Sequence, residues 1–256
     1  MKNDMILRRL GNKQKIAKEI QKHFPQHRIY IEPFFGAGGM FFNKPKANCN
    51  IMNDIDSDVF NLFQVVSNQK AELEELFMRT PKHQDLFNYW KDNNEVEAVS
   101  KAMRFLFLSN YTFMGAGASL KLNSRNDVKQ LYDGLQTVNK MLFEVQFANM
   151  DFRQFFKSVS IEKTEIEKTL IYCDPPYVGT DDNYSNSFTE ADSKDLFDCL
   201  QATGCKWAMS EFDHPFILQQ AKERNLNITY IGERQNLKNR RIEILVTNYK
   251  NALTLF

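Results

Sequence analysis

The chain has 256 residues, and its 33 basic and 32 acidic side chains give a formal net charge of +1. This length predicts one large domain, or one domain with an inserted lobe, and a hydrophobic content of 43% is sufficient for a core. The near-neutral charge excludes a protein drawn to nucleic acid or membrane by a global electrostatic field, but not a local basic face.

The cysteine and histidine pattern argues against a metal site and against a disulfide framework. The four cysteines form no CxxC pair and show no zinc-ligand spacing with the four histidines. The first residues lack the apolar segment of a signal peptide, and no stretch reaches the roughly 20 apolar residues that span a bilayer. We therefore expect a cytoplasmic protein with reduced thiols, no metal and no membrane anchor.

The first part of the chain alternates between helical and strand patterns. Apolar spacing predicts two helices, with Asn12 and Ser57 as their N-caps, and two strands. The predicted elements are, in order, a helix over 12–24, a strand over 28–34, a strand over 49–55 and a helix over 57–66. The first strand ends at Pro33, which cannot donate to a sheet ladder.

The middle of the chain, over about 67–140, is predicted to be helical, with its clearest helix at 94–110. Glycine, serine and asparagine at 115–127 predict a loop or a short hairpin. The remaining predicted elements are strands at 144–150, 169–174, 206–211, 227–233 and 242–249, and helices at 191–203 and 214–224.

This alternation of strands and helices predicts an α/β fold with a largely parallel, doubly wound sheet. The helical stretch over 57–140 is too long for one crossover between strands. We therefore interpret it as a lobe inserted between the second and third strands.

The sequence EPFFGAGG at 32–39 places glycines after the first strand. Glycines there let the backbone approach a ligand closely, but the spacing of Gly36 and Gly38 lacks the third glycine of a dinucleotide site. The segment favours a nucleoside ligand without a pyrophosphate. The alternative is a glycine-rich turn that binds no ligand.

The sequence MNDID at 52–56 places an acid at the tip of the second strand. Acids at this point bind ribose hydroxyls in doubly wound folds, and Asp54 is the better candidate, while Asp56 starts the following helix. The alternative is a solvated turn.

The sequence NMDFRQFF at 149–156 follows the third strand. Asp151 can accept a hydrogen bond from an exocyclic amine, and Phe152 offers a face to an aromatic ring. The alternative is a helix cap followed by a core phenylalanine.

The sequence LIYCDPPYVG at 170–179 ends a strand in an acid, two prolines and an aromatic residue. The prolines stop the strand and stiffen the corner. Asp174 and the Pro175 carbonyl can each accept a hydrogen bond from an amine, and Tyr177 can stack on a planar ring. This combination is suited to the amino group of a base that has been lifted out of its stack.

These motifs, together with LGNK at 10–13, resemble those of the Dam-like DNA adenine methyltransferases. The resemblance extends to NDID at 53–56, DF at 151–152, SFTEADSKDL at 187–196 and EILVTNY at 243–249. It implies methyl transfer from S-adenosylmethionine to the exocyclic amine of adenine in DNA. It also implies a Rossmann-like methyltransferase sheet of seven strands, in which EILVTNY supplies the antiparallel last strand.

The same resemblance implies a division of the chain. Residues 1–56 and 141–256 would form the catalytic domain that binds S-adenosylmethionine. Residues 57–140 would form a helical target-recognition insert. We expect a monomer that acts on double-stranded DNA, encoded by a bacterium or a phage.

Roles for individual residues follow from the resemblance. Cofactor contacts are expected from Arg9, Lys13, Phe34, Gly36, Gly38, Asp54, Asp151, Phe152 and Asp174. Asp54 would hold the ribose hydroxyls, and Asp151 and Phe152 would face the cofactor's adenine. The expected catalytic residues are Asp174, Pro175, Pro176 and Tyr177. Asp174 and the Pro175 carbonyl would bind the target amine, and Tyr177 would stack on the flipped base.

The chain departs from the family at two places. Arg9 stands where relatives carry an aromatic residue, and MGAGAS at 114–119 has small residues where relatives that read GATC carry a basic hairpin. Specificity for GATC is therefore not implied, and Lys121 and Arg125 are the nearest substitutes for the missing base-reading residues.

Basic residues cluster at 8–15 and 233–241. Such clusters are commonly solvated faces, but at the catalytic edge they could follow DNA phosphates. We predict that Arg240 and Arg241 contact the DNA backbone.

Two other functions fit parts of the sequence. A methyltransferase acting on RNA or on a protein amide would keep the chemistry, although sites of that kind usually begin with Asn where this chain has Asp174. A catalytically inactive DNA-binding relative would have lost the acid, Tyr177 or the glycine loop, and the chain retains all three.

Overall fold

The structure is a computed structural model that describes residues 6–9, 11–115, 117–121, 127–179, 188–235 and 240–250, without the side chains of residues 114, 127, 234, 235 and 240. Within these residues, seven strands form one sheet in the order β3-β2-β1-β4-β5-β7-β6. The strands are β1 (Ile29–Glu32), β2 (Cys49–Asn53), β3 (Val145–Ala148), β4 (Thr169–Cys173), β5 (Lys206–Phe212), β6 (Asn227–Gln235) and β7 (Arg240–Thr247).

The pairing of the strands confirms the predicted Rossmann-like fold. Ile31 of β1 lies opposite Ile51 of β2 and Ile171 of β4, in parallel register, and β4 is in turn parallel to β5. β7 runs antiparallel to both β5 and β6, as expected for the last strand. The carboxyl ends of β2, β1, β4 and β5 therefore lie at one edge of the sheet, together with the beginning of β7.

The predicted helices are present, with different limits. The α-helices of the described chain are α1 (Ala17–Gln21), α2 (Ser57–Asn68), α3 (Lys70–Arg79), α4 (Gln84–Asp92), α5 (Ala98–Tyr111), α6 (Asp127–Leu142), α7 (Phe152–Ser158), α8 (Glu190–Ala202) and α9 (Pro215–Glu223). Short 3-10 turns occur at Lys13–Lys15, Phe41–Asn43, Phe113–Gly115 and Ile166–Lys168.

Helix starts show where the sequence prediction needed correction. The predicted cap Ser57 is wrong, because the Asp56 carboxylate accepts the Asp58 N–H at 2.9 Å and caps α2. The helix predicted over 12–24 is divided: Asn12 caps a 3-10 turn by accepting the Gln14 N–H, and α1 starts only afterwards.

The segment predicted as a loop or a short hairpin includes part of a hairpin, which begins earlier than the sequence suggested. Thr112 and Leu120 form an antiparallel bridge. The Lys121 N–H donates to the Tyr111 carbonyl at 2.8 Å. Residues 122–126 lie outside the described part of the chain.

The chain divides into two compact units. The helical unit comprises the described residues within 1–15, 36–45 and 54–149, and the sheet unit those within 16–35, 46–53 and 150–256. In the helical unit, α2 packs against α5 and buries Leu62, Phe63 and Phe107 completely.

In the sheet unit, β4 is buried along its whole length, and Trp207 of β5 is fully covered. This is the burial expected for central parallel strands that are covered on both faces.

In the part of the chain that is described, no helix has both the length and the apolar character needed to cross a membrane.

Candidate active site

The DPPY corner begins directly after β4 in the sheet unit. Asp174 follows Cys173, the last residue of the strand, and is half-buried, while Pro175 and Tyr177 are buried. Consecutive prolines cannot continue the ladder, so the chain must leave the sheet here. The fold therefore places Asp174 at the carboxyl edge, where open α/β sheets bind their ligands.

The topology of the sheet explains which side chains surround this corner. β5 ends at the carboxyl edge, and β7 begins there because it runs antiparallel, so that Phe212 lies opposite Glu243. Glu211 is 0% exposed and Glu243 is 2% exposed. Two buried carboxyl groups therefore lie at the edge to which Asp174 belongs.

Tyr177 is fixed at both ends of its side chain. Its hydroxyl donates to Glu243 Oε1 at 3.1 Å, and its ring packs edge-to-face on Phe212 with centroids 4.6 Å apart. Burial raises the pKa of Tyr177 well above its ordinary value, and the nearby Asp174 and Glu243 carboxyls raise it further. The hydroxyl therefore stays protonated and remains a donor.

The next two residues are also held by side chains. The Val178 N–H donates to Glu211 Oε1 at 3.1 Å, and the second oxygen of Glu211 accepts the Phe212 N–H at 2.8 Å. Arg241 donates from Nη2 to the Gly179 carbonyl at 3.1 Å, and its guanidinium lies 5.4 Å from the centre of the Phe212 ring. Arg241 thus contacts both the backbone that follows the DPPY corner and the Phe212 ring of β5.

An aromatic cluster lies in the same unit. Phe34 follows the end of β1, and its ring centroid is 5.6 Å from that of Phe152 and 6.2 Å from that of Phe188. Phe152 is 4% exposed, and Asp151 caps α7 by accepting the Arg153 N–H at 2.8 Å. The alternative of a helix cap with a packed phenylalanine therefore describes the local geometry, and the cofactor contacts of both residues stay predictions.

Asn53 links the segments that carry these residues. Its amide donates to the carbonyls of Pro33 and Met150, each at 3.0 Å. Its side-chain oxygen accepts the Met150 N–H at 3.2 Å, and its own carbonyl accepts the Phe35 N–H. One buried asparagine thus holds the segment around Phe34 and the segment just before Phe152, which carry two rings of the aromatic cluster.

Arg153 joins the starts of α7 and α8. Its guanidinium donates to Asp192 at 2.6 Å and to Asp195 at 2.8 Å, and its central carbon lies 4.3 Å from the centre of the Phe152 ring. Asp192 also forms a capping box with Thr189. This network explains structurally why the SFTEADSKDL segment carries acids. The sequence alone did not explain them.

In the helical unit, Asp54 is bonded to the glycine loop. One of its carboxylate oxygens accepts the Gly36 N–H at 2.6 Å, and the other accepts the Asp56 N–H at 2.9 Å. Burial raises the pKa of Asp54 above its usual range, although the two N–H donors and Arg9 act in the opposite direction. Gly36 and Asp54, each of which was predicted to contact the cofactor, are thus hydrogen-bonded to each other.

The glycines of the loop have different surroundings. Gly36 and Gly38 adopt φ values of +53° and +71°, a region that favours glycine. A Cβ at Gly36 would meet no atom within 4 Å, so space is open above it, whereas a Cβ at Gly39 would overlap the Asn12 side chain.

The N-terminal segment supplies two cations to the helical unit. Arg9 pairs with Asp56 through Nη2 and Oδ2 at 2.8 Å, a contact that the sequence did not predict. Lys13 is 3% exposed.

The predicted DNA contacts lie on both units. Lys121 is half-buried, with Nζ 5.9 Å from the centre of the Phe113 ring on the hairpin. Arg125 lies outside the described residues, as does the side chain of Arg240. Their proposed contacts with DNA remain predictions.

The strand order, the antiparallel β7 and the DPPY corner at the end of β4 define a Rossmann-like methyltransferase. The model of the D12 class N6 adenine-specific DNA methyltransferases matches residues 10–244, and the chain belongs to this family. The protein is therefore an adenine-specific DNA methyltransferase that uses S-adenosylmethionine as methyl donor. The predicted activity, DNA substrate and cofactor are confirmed.

Comparison with individual relatives gives a consistent result. The chain is 24% identical to a DNA adenine methylase of Salmonella typhi over 261 residues, which cover 99% of this chain and 83% of the relative. It is 29% identical to a DNA adenine methylase of Haemophilus influenzae over 69% of this chain and 65% of that relative. A human methyltransferase 10 domain-containing protein covers 94% of this chain and 83% of its own at 10% identity, with a TM-score of 0.43, a likeness too weak to add to the assignment.

Proposed function

We propose that Asp174 and the Pro175 carbonyl bind the target amine of adenine and activate it for methyl transfer. The observation that supports this role is the position of Asp174, directly after β4 at the carboxyl edge of the sheet and followed by a proline pair. Such a corner is stiff, so the two acceptors keep a fixed relation to each other.

The chemistry explains why two acceptors are needed. The exocyclic amine of adenine is a weak nucleophile because its lone pair is delocalised into the ring. Hydrogen bonds from the amine to Asp174 and to Pro175 favour a tetrahedral nitrogen and expose the lone pair. This geometry is reached in the transition state, so the bonds are strongest where they lower the barrier. The Asp174 carboxylate also stabilises positive charge that develops on the nitrogen.

The target base must leave the duplex to reach this corner. We propose that the adenine is flipped out, at a cost of a few kcal/mol, and that the ring of Tyr177 replaces part of the lost stacking. Tyr177 is 8% exposed and its ring packs on Phe212, so the orientation of the ring is defined before a base arrives.

The residues of the glycine loop fit the cofactor. The open space above Gly36 accommodates a ligand that lies close to the backbone, and the carboxylate of Asp54 can accept hydrogen bonds from ribose hydroxyls. S-adenosylmethionine, when bound, supplies an electrophilic methyl group on a sulfonium. We assign its contacts to Arg9, Lys13, Phe34, Gly36, Gly38, Asp54, Asp151, Phe152 and Asp174.

The remaining assignments concern DNA binding and cellular context. We propose that 57–140 is a target-recognition insert and that 1–56 and 141–256 form the catalytic domain. The protein acts as a monomer on double-stranded DNA, with Lys121, Arg125 and Arg240 near the phosphates or bases. Its bacterial relatives support a cytoplasmic enzyme of a bacterium or a phage.

Substitution of Asp174 tests the proposed active site. Asp174→Ala is expected to abolish N6-methyladenine formation at saturating cofactor and DNA while leaving the melting temperature near that of the wild type. The matched control is Asp213→Ala, which removes an acid after β5 that has no proposed role. Methylation by Asp174→Ala at a rate near that of the wild type would refute the assignment.

A further inference from the structure

The proline pair stiffens only part of the corner, and the residues after it are held in another way. Each of the three residues 177–179 is bonded to a different side chain of β5 or β7. The contacts join Tyr177 to Glu243, Val178 to Glu211 and Gly179 to Arg241. These bonds use a hydroxyl, an N–H and a carbonyl, so the segment is fixed through both main chain and side chain.

We propose that Glu211, Arg241 and Glu243 are positioning residues for methyl transfer, because they hold segment 177–179 and so fix the corner that carries Asp174. We call these three residues the clamp. The inference rests on the roles proposed above for Asp174 and Tyr177. It extends them to β5 and β7, whose only part in that proposal is a DNA contact by Arg240. The sequence also predicted a DNA contact for Arg241.

The burial of the two clamp carboxyls is the first argument. Glu211 and Glu243 are 0% and 2% exposed, and the residues that follow them, Phe212 and Ile244, are buried apolar side chains. A buried carboxyl weakens folding unless it is well hydrogen-bonded, and an apolar side chain would serve the sheet better. The acids are therefore better explained by what they bind at the corner than by the core.

The bonding pattern of the clamp is the second argument. Both oxygens of Glu211 accept main-chain N–H groups, from Val178 and Phe212, so this carboxyl connects the corner directly to β5. Glu243 accepts the Tyr177 hydroxyl while Phe212 packs against the ring. Two contacts at different points of the side chain define the plane of the ring.

The third argument is the contact of Arg241 with Gly179, which gives Arg241 a role other than DNA binding. Its Nη2 donates to the Gly179 carbonyl at 3.1 Å, and Gly179 has a φ of +69°, so its backbone is in a region that few other residues adopt. A phosphate contact would affect DNA affinity and its salt dependence. A clamp contact would affect the chemical step instead.

The closing experiment measures the rate of single-turnover methyl transfer with saturating cofactor and DNA. For each variant, the dissociation constants for S-adenosylmethionine and for DNA and the melting temperature are measured as well. Tyr177→Phe, which removes the hydroxyl and keeps the ring, is expected to slow the chemical step on the order of 10–100-fold, as a small misplacement of reacting groups does. Glu243→Leu is expected to have the same effect, and the double variant to be no slower than either single variant. Glu243→Gln retains an acceptor oxygen and should recover most of the rate.

The chain offers a matched control in the same sheet. Tyr30 is fully buried and donates to the buried Glu32 at 3.0 Å, so Tyr30→Phe removes the same kind of bond away from the corner. It should lower the melting temperature as Tyr177→Phe does, with a rate within about threefold of wild type. Equal rates for Tyr30→Phe and Tyr177→Phe would overturn the proposal.

Arg241 extends the test to a residue that is only half-buried. Arg241→Met should slow the chemical step and leave the salt dependence of DNA binding unchanged, while Arg241→Lys retains a donor and part of the rate. A loss confined to DNA affinity would overturn the clamp role of Arg241. The assignment of Asp174 is tested separately: if Asp174→Ala is active, the proposed function fails, and if it is inactive while the clamp variants match Tyr30→Phe, only the clamp fails.

Discussion

The glycine loop provides a sharp prediction, because the sequence left open whether it binds a ligand. Gly36→Ala adds a methyl group where no atom lies within 4 Å, so no steric clash with the protein is expected. The φ of +53° imposes strain, since a left-handed conformation costs a residue with a side chain about 1–2 kcal/mol. For a protein of this size each kcal/mol lowers the melting temperature by roughly 2–4 °C.

Gly36→Ala should also weaken cofactor binding, which backbone strain in the folded protein does not by itself do. If the cofactor lies close to the backbone at Gly36, the new methyl group occupies its space. We expect at least about a tenfold loss of affinity for S-adenosylmethionine, which corresponds to about 1.4 kcal/mol. Isothermal titration calorimetry on the folded variant measures this loss directly, without DNA and without turnover.

Gly117 offers a matched control for the strain. Its φ is +70° and a Cβ there would also meet nothing within 4 Å, so Gly117→Ala should lower the melting temperature by a similar amount. Its cofactor affinity should remain that of the wild type. If Gly36→Ala and Gly117→Ala both bind S-adenosylmethionine as well as the wild type does, the loop is a glycine-rich turn and the reasoning is refuted.

Three further predictions concern residues that support the site. Because burial raises the pKa of Asp54, cofactor affinity should fall on acidification at a pH above the usual carboxyl range, and Asp54→Asn should bind weakly with a flat pH profile. The same raised pKa means that Asp54 contributes less to folding stability as the pH rises through that pKa. Acidification should therefore lower cofactor affinity but raise this contribution to stability, and a fall in both would contradict the role of Asp54. Arg153→Met should loosen the starts of α7 and α8 and weaken cofactor binding several-fold by freeing Phe152; an unchanged calorimetric affinity would exclude this support. Glu97→Ala removes the cap of α5, whose carboxylate accepts two N–H groups, and should cost about 0.5–2 kcal/mol in urea unfolding with the cofactor affinity unchanged.

The sequence predicted strands such as β1 and β4 because each is a short, largely apolar run that is ended by a proline or an acid. β1 before Pro33 and β4 before Pro175 are examples, and the antiparallel last strand followed from the family resemblance. Helix starts were less predictable, because several acids and hydroxyls stand near each start and only the backbone geometry selects one. At α2, Asp56 rather than Ser57 takes the cap.

The supporting residues of the site could not be predicted, because their partners are distant in sequence. Tyr177 and Glu243 are 66 residues apart, and Glu211 reaches Val178 from another strand. The signal that could have identified one of them is an acid in a strand that also carries Trp207, Met209 and Phe212, as in KWAMSEF at 206–212. The partners became known only from the register of β5 and β7.

The most direct test of the account is the rate of the chemical step in Asp174→Ala. Enzyme saturated with S-adenosylmethionine and DNA is followed through a single turnover, and N6-methyladenine is quantified by mass spectrometry after digestion of the DNA. The variant is expected to keep the melting temperature of the wild type and, with both partners saturating, to form no methyladenine above background. A single-turnover rate within about tenfold of wild type would show that Asp174 does not activate the target amine.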